Sequence, residues 1–137
     1  MSEQTVTTGE VVAAFLEACG VQVAFGVISI HNLPMLDALG RSAVIRFVPT
    51  RGEAGAVNMA DAYARTRGEL GVAFTSTGTG AGNAAGALVE AETAGTPLLH
   101  LTGQIDLPHL DRGRGYIHET KAQLGMLRSI SKAVYRV

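Results

Sequence analysis

A chain of 137 residues, 47% hydrophobic and 17% charged, holds one domain's worth of sequence and can bury roughly two thirds of its unfolded surface, which excludes disorder, a collagen-like polymer and a solvated repeat. Eleven Lys and Arg against twelve Asp and Glu leave a formal charge of -1, with no basic cluster beyond Arg112 and Arg114, so nucleic acid is not an expected partner. The chain starts polar (Ser2, Glu3, Gln4) and no apolar run reaches about 18 residues, so neither a signal peptide nor a membrane span is expected.

In chain order, Thr7 and Glu10 have the spacing of a capping box, followed by Val11, Val12, Phe15, Leu16 and Cys19 at helical spacing and by Gly20 as a stop. Cys19, the single cysteine, allows no internal disulfide; it is expected to be buried by this helix, and a reducing cytoplasm fits it best. Val21 to Ile28 is almost continuously apolar, as in a strand buried on both faces. Pro34 near a helix start, a helix over Met35 to Leu39 ending at Gly40, and a β-rich run from Ala43 to Val48 repeat the pattern. A helix from Glu53 to Arg67 stops at Gly68, and a third strand covers Leu70 to Thr75. The small residues of Gly80 to Ala94 predict a closely packed helix, and Pro97 to Thr102 a fourth strand. Gly103 to His118 reads as an exposed loop, Glu119 to Ser131 as a helix and Ala133 to Val137 as a fifth strand.

Helices alternating with strands that are apolar throughout predict an α/β fold: an open parallel sheet of about five strands with helices on both faces. The chain stops on its last predicted strand with no helix to cover it, and a truncation or a partner is expected there.

In such sheets the crevice lies beyond the carboxyl ends of the strands. Four segments fall there: Ser29 to Asn32, Thr50 to Glu53, Thr77 to Asn83, and Gly103 and Gln104 with the loop to Glu119. Glu53 sits in the first turn of a helix, where negative charge is favoured, and Thr50 to Glu53 is also a capping box, so the carboxylate has a purely structural reading. Gly78, Gly80 and Gly82 open the next helix, but Asn83 replaces the third glycine of a dinucleotide fingerprint and no Gly-Lys-Ser/Thr follows, which argues against both NAD and a phosphate loop. His31 and His118 fall at the crevice edge with rings suited to proton transfer, although a loop histidine is commonly just solvated. His100 lies inside a strand and reads as a core residue. No set of His, Cys and carboxylates has metal-ligand spacing, so no metal site is expected in this chain.

Ala24-Phe25-Gly26-Val27, Leu33-Pro34, Asp37-Ala38-Leu39, Arg51-Gly52-Glu53-Ala54-Gly55-Ala56, Met59 to Arg65, Gly78-Thr79-Gly80 with Asn83, Pro97-Leu98 and Thr102-Gly103-Gln104 together resemble the N-terminal, pyrimidine-binding domain of thiamine-diphosphate enzymes of the acetolactate synthase and benzoylformate decarboxylase group. The resemblance runs from about Thr7 onward and implies a Rossmann-like three-layer sandwich, with residues 1–137 forming the pyrimidine-binding domain without its final helix and strand. It implies that Glu53 hydrogen-bonds the ring nitrogen of the cofactor's aminopyrimidine and so activates the thiazolium carbon. It also places Gly78, Thr79, Gly80 and Asn83 beside the cofactor, and Ser29, Ile30, His31, Gln104 and His118 on the substrate side. The chain departs from the family pattern at Gly52, where histidine is common, at Ile28-Ser29-Ile30 in place of Pro-Gly-Gly or Pro-Gly-Ser, and at His118 in place of glutamine.

The resemblance further implies a diphosphate-binding domain, in a longer chain or a separate subunit, which would hold Mg2+ through a Gly-Asp-Gly motif that does not occur in this sequence. A homodimer or tetramer and a small 2-oxo acid substrate follow from it. The expected function is half of the active site of a carboligase or 2-oxo acid decarboxylase, inactive alone. The alternative is a non-catalytic interaction or regulatory module that kept the fold, which Gly52 and the altered first loop motivate.

Overall fold

The computed structural model describes residues 5–137; Ser2, Glu3 and Gln4, read above as a polar start, lie outside the described residues. Helix α1 (Thr8–Ala18) begins at the expected capping box: the Glu10 N–H donates to Thr7 Oγ1 at 3.3 Å and the Thr7 N–H to the Glu10 carboxylate at 2.8 Å. The chain continues through β1 (Val23–Gly26), α2 (Leu33–Gly40), β2 (Arg46–Pro49), α3 (Glu53–Arg67), β3 (Gly71–Thr75), α4 (Thr79–Thr93), β4 (Leu98–Thr102), a single 3-10 turn at Leu107–His109, and α5 (Gln123–Arg128). Glycine Gly68, in the left-handed region, ends α3 as its position in the sequence predicts.

The strands form one parallel sheet in the order β2-β1-β3-β4. Alternation along each strand divides the core in two. Ala24, Val72 and Phe74 face α1 and α2 with Leu16 and Leu39, while Phe25 and Ala73 face the other way, towards Ala56, Val57 and Ala60 of α3, Ala84 and Leu88 of α4, and Leu127 of α5. Both faces are thus covered, and the expected α/β class with helices on both sides is what the chain forms. The small residues of α4 have their reason here: Ala84 and Ala87 let its backbone close on the equally small Ala56 and Ala60 of α3. No helix among the described residues is long and apolar enough to cross a membrane.

Four expectations need correction. The sheet has four strands, not about five: residues 133–137 form no strand, because nothing among the described residues pairs with them, and Val134 instead packs on the α3/α4 side of the core. The helix expected from Glu119 to Ser131 is confined to α5, since the residues before it are held in turns. Cys19 is exposed, not buried, because α1 has already ended at Ala18 and turns the residue outward. The capping box at Thr50 to Glu53 does not form: Gly52 is the N-cap, and the Thr50 hydroxyl donates to the Gly52 carbonyl at 3.1 Å instead of accepting from the helix.

Backbone contact between β1 and β3 is close at Gly26, where a Cβ would lie 2.7 Å from both Cβ and the carbonyl oxygen of Phe74. Gly26→Ala is therefore expected to destabilise the chain by about 1 to 3 kcal/mol through overpacking, read as a lower urea midpoint; an unchanged midpoint would show that the two strands separate freely. In β4, His100 Nε2 lies 2.8 Å from the Thr75 hydroxyl, and burial pushes the imidazole down to about 4 from its ordinary 6.5. As pH falls, the unfolded chain binds this proton first. The stabilisation from a neutral His100 is thus complete above pH 6.5 and is lost as pH falls to about 4, a change of about 3 kcal/mol. Urea titrations across that window should show a flatter pH dependence in His100→Gln than in the parent, and parallel curves would contradict it.

Candidate active site

Strand order reverses between β1 and β3, the point at which doubly wound sheets open a crevice beyond their strand ends. Two side-chain amides fix the backbone there. The fully buried Asn32 accepts from the Ser29 N–H at 2.9 Å and donates to the carbonyls of Val27 at 2.8 Å and Thr75 at 3.2 Å, tying the end of β1 to the end of β3. Gln123, buried at the start of α5, accepts from the Thr77 hydroxyl at 2.7 Å and the Gly78 N–H at 2.6 Å and donates to the Gly103 carbonyl at 3.1 Å, joining the ends of β3 and β4.

The expected site residues fall into two groups on this frame. In the first, half-buried Glu53 at the start of α3 accepts from the Asn83 amide of α4 at 3.3 Å. Gly80 lies against the same carboxylate: a Cβ there would stand 2.8 Å from Glu53 Oε1 and 2.7 Å from Ser76 Cβ. Glu53 and Gly80 come from the ends of β2 and β3, which flank β1, so the sheet order itself brings them together. The Ser76 hydroxyl beside them is buried without a hydrogen-bond partner. Gly78, with φ of 56°, is the N-cap of α4, and Thr79 begins the helix with an exposed side chain.

The second group is on the other side of Gly78. The rings of His31 and His118 stand 5.3 Å apart, centroid to centroid. The His118 carbonyl occupies the space a Cβ on Gly78 would need, and a Cβ on Gly103 would meet the His31 carbonyl at 2.5 Å. The carbonyl of the Gln104 side chain is turned inward to the Thr77 hydroxyl at 3.4 Å and the Ile105 N–H at 2.9 Å, so it serves the loop backbone. Ser29 keeps a buried hydroxyl without a partner, whereas Ile30 projects into solvent, 65% exposed. Burial, and then the neighbouring His118, hold the His31 imidazole below its ordinary range, with Asp106 opposing them.

Four residues of this frame went unseen in the sequence. Asn32 lies in one of the four segments at the strand ends, but its side chain gives no sign of three partners; the Ser76 hydroxyl is buried without a partner, and Gln123 acts through residues distant in the chain. Glu119 accepts the N–H groups of Gly113 at 2.8 Å, Gly115 at 2.7 Å and Tyr116 at 3.0 Å, foremost the last, which hold its carboxyl below the usual range. The glycines of this loop were legible as a turn, but not the carboxylate that closes it. Gly52 is open: nothing lies within 4 Å of where its Cβ would be. Among the described residues no three His, Cys, Asp or Glu are grouped to hold a metal.

A parallel sheet with its order reversing between β1 and β3, and a carboxylate facing a glycine at the strand ends, define an α/β domain of the doubly wound class. Residues 6–126 match the family described as "Thiamine pyrophosphate enzyme, N-terminal TPP binding domain", and the chain belongs to it. It is 38% identical over 129 residues to a probable 2-ketoarginine decarboxylase of Pseudomonas aeruginosa, covering 94% of this chain and 23% of that protein. It is 30% identical over 135 residues to the acetolactate synthase large subunit of Lactococcus lactis, covering 98% and 23%. A solved structure, the thiamine diphosphate-dependent 4-hydroxybenzoylformate decarboxylase of Rhodococcus jostii RHA1, superposes with a TM-score of 0.83 at 26% identity over 93% of this chain and 23% of that one. The chain spans about a quarter of the length of these relatives.

Removal of the Gln123 clamp leaves the Gly78 N–H and the Gly103 carbonyl without their side-chain partner, and the Thr77 hydroxyl with the longer contact to Gln104 at 3.4 Å. Gln123→Leu is expected to lose about 2 kcal/mol or more in urea denaturation. A loss under about 0.5 kcal/mol would show that the strand ends are held by something else.

Proposed function

We propose that this chain supplies the pyrimidine-side half of a thiamine-diphosphate site in an acetolactate-synthase-like carboligase or a 2-oxo acid decarboxylase. The single observation that carries this reading is the Glu53 carboxylate packed against Gly80, held by the Asn83 amide and near the unpartnered Ser76 hydroxyl at the strand ends. A carboxylate and a free hydroxyl offer hydrogen-bond partners to a heteroaromatic ring with nitrogen donors and acceptors, and the residues present are compatible with the group. When bound, thiamine diphosphate supplies a nucleophilic carbon for a 2-oxo carbonyl and an electron sink for the bond that breaks.

The chain's own residues have distinct tasks in this reading. Glu53 holds a proton at a ring nitrogen of the aminopyrimidine, and Asn83 fixes the orientation of that carboxylate from α4. Gly78, Thr79 and Gly80 border the cofactor in this reading, with the His118 carbonyl packed on Gly78 and the Glu53 carboxylate on Gly80. Ser29, Ile30, His31, Gln104 and His118 border the space left for the substrate. The diphosphate and its Mg2+ are assigned to a domain in a longer chain or in a separate subunit, and the working assembly to a homodimer or tetramer in the cytoplasm. The names of the relatives, an acetolactate synthase subunit and two decarboxylases, support a 2-oxo acid as substrate class. Against the non-catalytic alternative we set the placement of Glu53, Asn83 and Gly80 together at the strand ends, where a ligand crevice opens in such sheets.

In the complete protein, with Mg2+ and thiamine diphosphate supplied, Glu53→Gln should slow deuterium exchange at the cofactor's C2 position by about 10²-fold or more. Calorimetry on the same samples reads cofactor affinity separately. Exchange at the parental rate with cofactor bound would remove Glu53 from the proposed role.

A further inference from the structure

Residues 103–122, between β4 and α5, carry three carboxylates, Asp106, Asp111 and Glu119, and three permanent cations, Arg112, Arg114 and Lys121. The two sets are used unequally. Asp106 accepts from the Tyr116 hydroxyl at 3.0 Å, and the Tyr116 ring stacks on His109 with centroids 4.2 Å apart. Asp111 lies 4.0 Å from the Arg136 guanidinium, and Glu119 has both oxygens turned to backbone N–H groups of residues 113–116. Each carboxylate is thus engaged within the chain, whereas none of the three cations makes an ion pair among the described residues. Two of them, Arg112 and Lys121, line one cavity of about 300 Å³, together with the Thr120 side chain and the apolar Ile105 and Leu110. Ile105 is buried and Leu110 half-buried, so the hollow has an apolar lining as well as a charged one. The carboxylates that border it are Asp111 and Glu119, the two already held by Arg136 and by N–H groups. No residue of β1, β2 or the loops that follow them reaches it, which sets it apart from Glu53 and His31. Arg112 itself stands between two left-handed positions, Asp111 with φ of 61° and Gly113 with φ of 60°; at Asp111, a non-glycine, that conformation costs free energy.

We propose that this cavity is a binding site for a small phosphate monoester, with the phosphate taken by Arg112 and Lys121 and the organic part laid over Ile105 and Leu110. The guanidinium offers paired N–H donors in a fork that matches two phosphate oxygens, and the ammonium adds a compact charge with three donors. Near neutral pH such a phosphate carries about one and a half to two negative charges, which answers two cations; a carboxylate, with one, leaves a cation unmatched. The Thr120 hydroxyl is a further donor on the same wall. Inorganic phosphate would satisfy the cations but leave the apolar lining wet, so an ester with an apolar or aromatic body is the better occupant. A cavity of about 300 Å³ is at the small end of the range for ligand sites, which sets the size of that body near a single ring. The proposal does not rest on thiamine diphosphate or on Glu53.

The test is calorimetry on the 137-residue chain at fixed ionic strength, without Mg2+ or thiamine diphosphate, using phenyl phosphate, inorganic phosphate and benzoate as probes. Phenyl phosphate is expected to bind about tenfold more tightly than inorganic phosphate, through the apolar lining, and about tenfold more tightly than benzoate, through its second charge. Arg112→Gln and Lys121→Gln should each weaken phenyl phosphate about tenfold or more. Arg114→Gln removes a cation of the same segment that does not line the cavity, and should change the affinity less than about twofold. In the unsubstituted chain, NMR should show the amide signals of Ile105, Leu110 and Thr120 moving together as phenyl phosphate saturates, a readout that needs no variant to fold. Absence of binding would overturn the proposal. So would equal binding of benzoate or of inorganic phosphate, a loss in Arg114→Gln as large as in Arg112→Gln, or signal changes confined to residues outside the cavity.

Discussion

The structure depends on two buried amides that tie together strand ends distant in sequence. A parallel sheet ends in a row of carbonyls and N–H groups that the ladder no longer satisfies, and a crevice can open there only if something else satisfies them. Asn32 and Gln123 do so with neutral side chains that donate at one end and accept at the other, so no charge is buried. Asn32 sets the distance between β1 and β3, and Gln123 that between β3 and β4. Gly78, Gly103 and the turn to His31 are held by those bonds, while Glu53, after β2, is brought to Gly80 by the sheet order.

Much of the site consists of withheld side chains. At Gly80 the missing Cβ brings the helix start up to a carboxylate; at Gly78 and Gly103 it admits the backbones of two histidines. Each of these close approaches leaves no room for a side chain, and the apolar clusters on the two sheet faces supply the buried side chains instead, with Leu16, Phe74, Val57 and Val72 wholly buried. The dense centre of the domain and the open end of its sheet are therefore two parts of one arrangement.

The alternation of helices with apolar strands was legible because a strand buried on both faces must read as a continuous apolar run, as Val72 to Phe74 does. The pairing of Glu53 with the glycine segment was legible only through the resemblance; the residues alone also allowed a helix cap, which the geometry of Gly52 and Thr50 replaces. The extent of the last helix and the fate of Ala133 to Val137 were not legible, since apolar periodicity records a preference and pairing needs a neighbour. Gln123 and the bond from Asn32 to Thr75 were hidden for a related reason: the partners are 20 to 46 and 43 residues away, beyond any local pattern.

The open space at Gly52 has a consequence for how this domain can diversify. The residue is extended, with φ of -170°, so the backbone conformation there suits any amino acid, and no neighbouring atom would meet a new Cβ. It immediately precedes Glu53, so a side chain added at 52 enters the neighbourhood of the carboxylate without disturbing the core. Chemistry beside Glu53 and stability of the fold are thereby uncoupled at one position. Mutational drift can sample polar, bulky or basic groups there at little thermodynamic cost, and the same scaffold can be retuned towards new reactants one residue at a time.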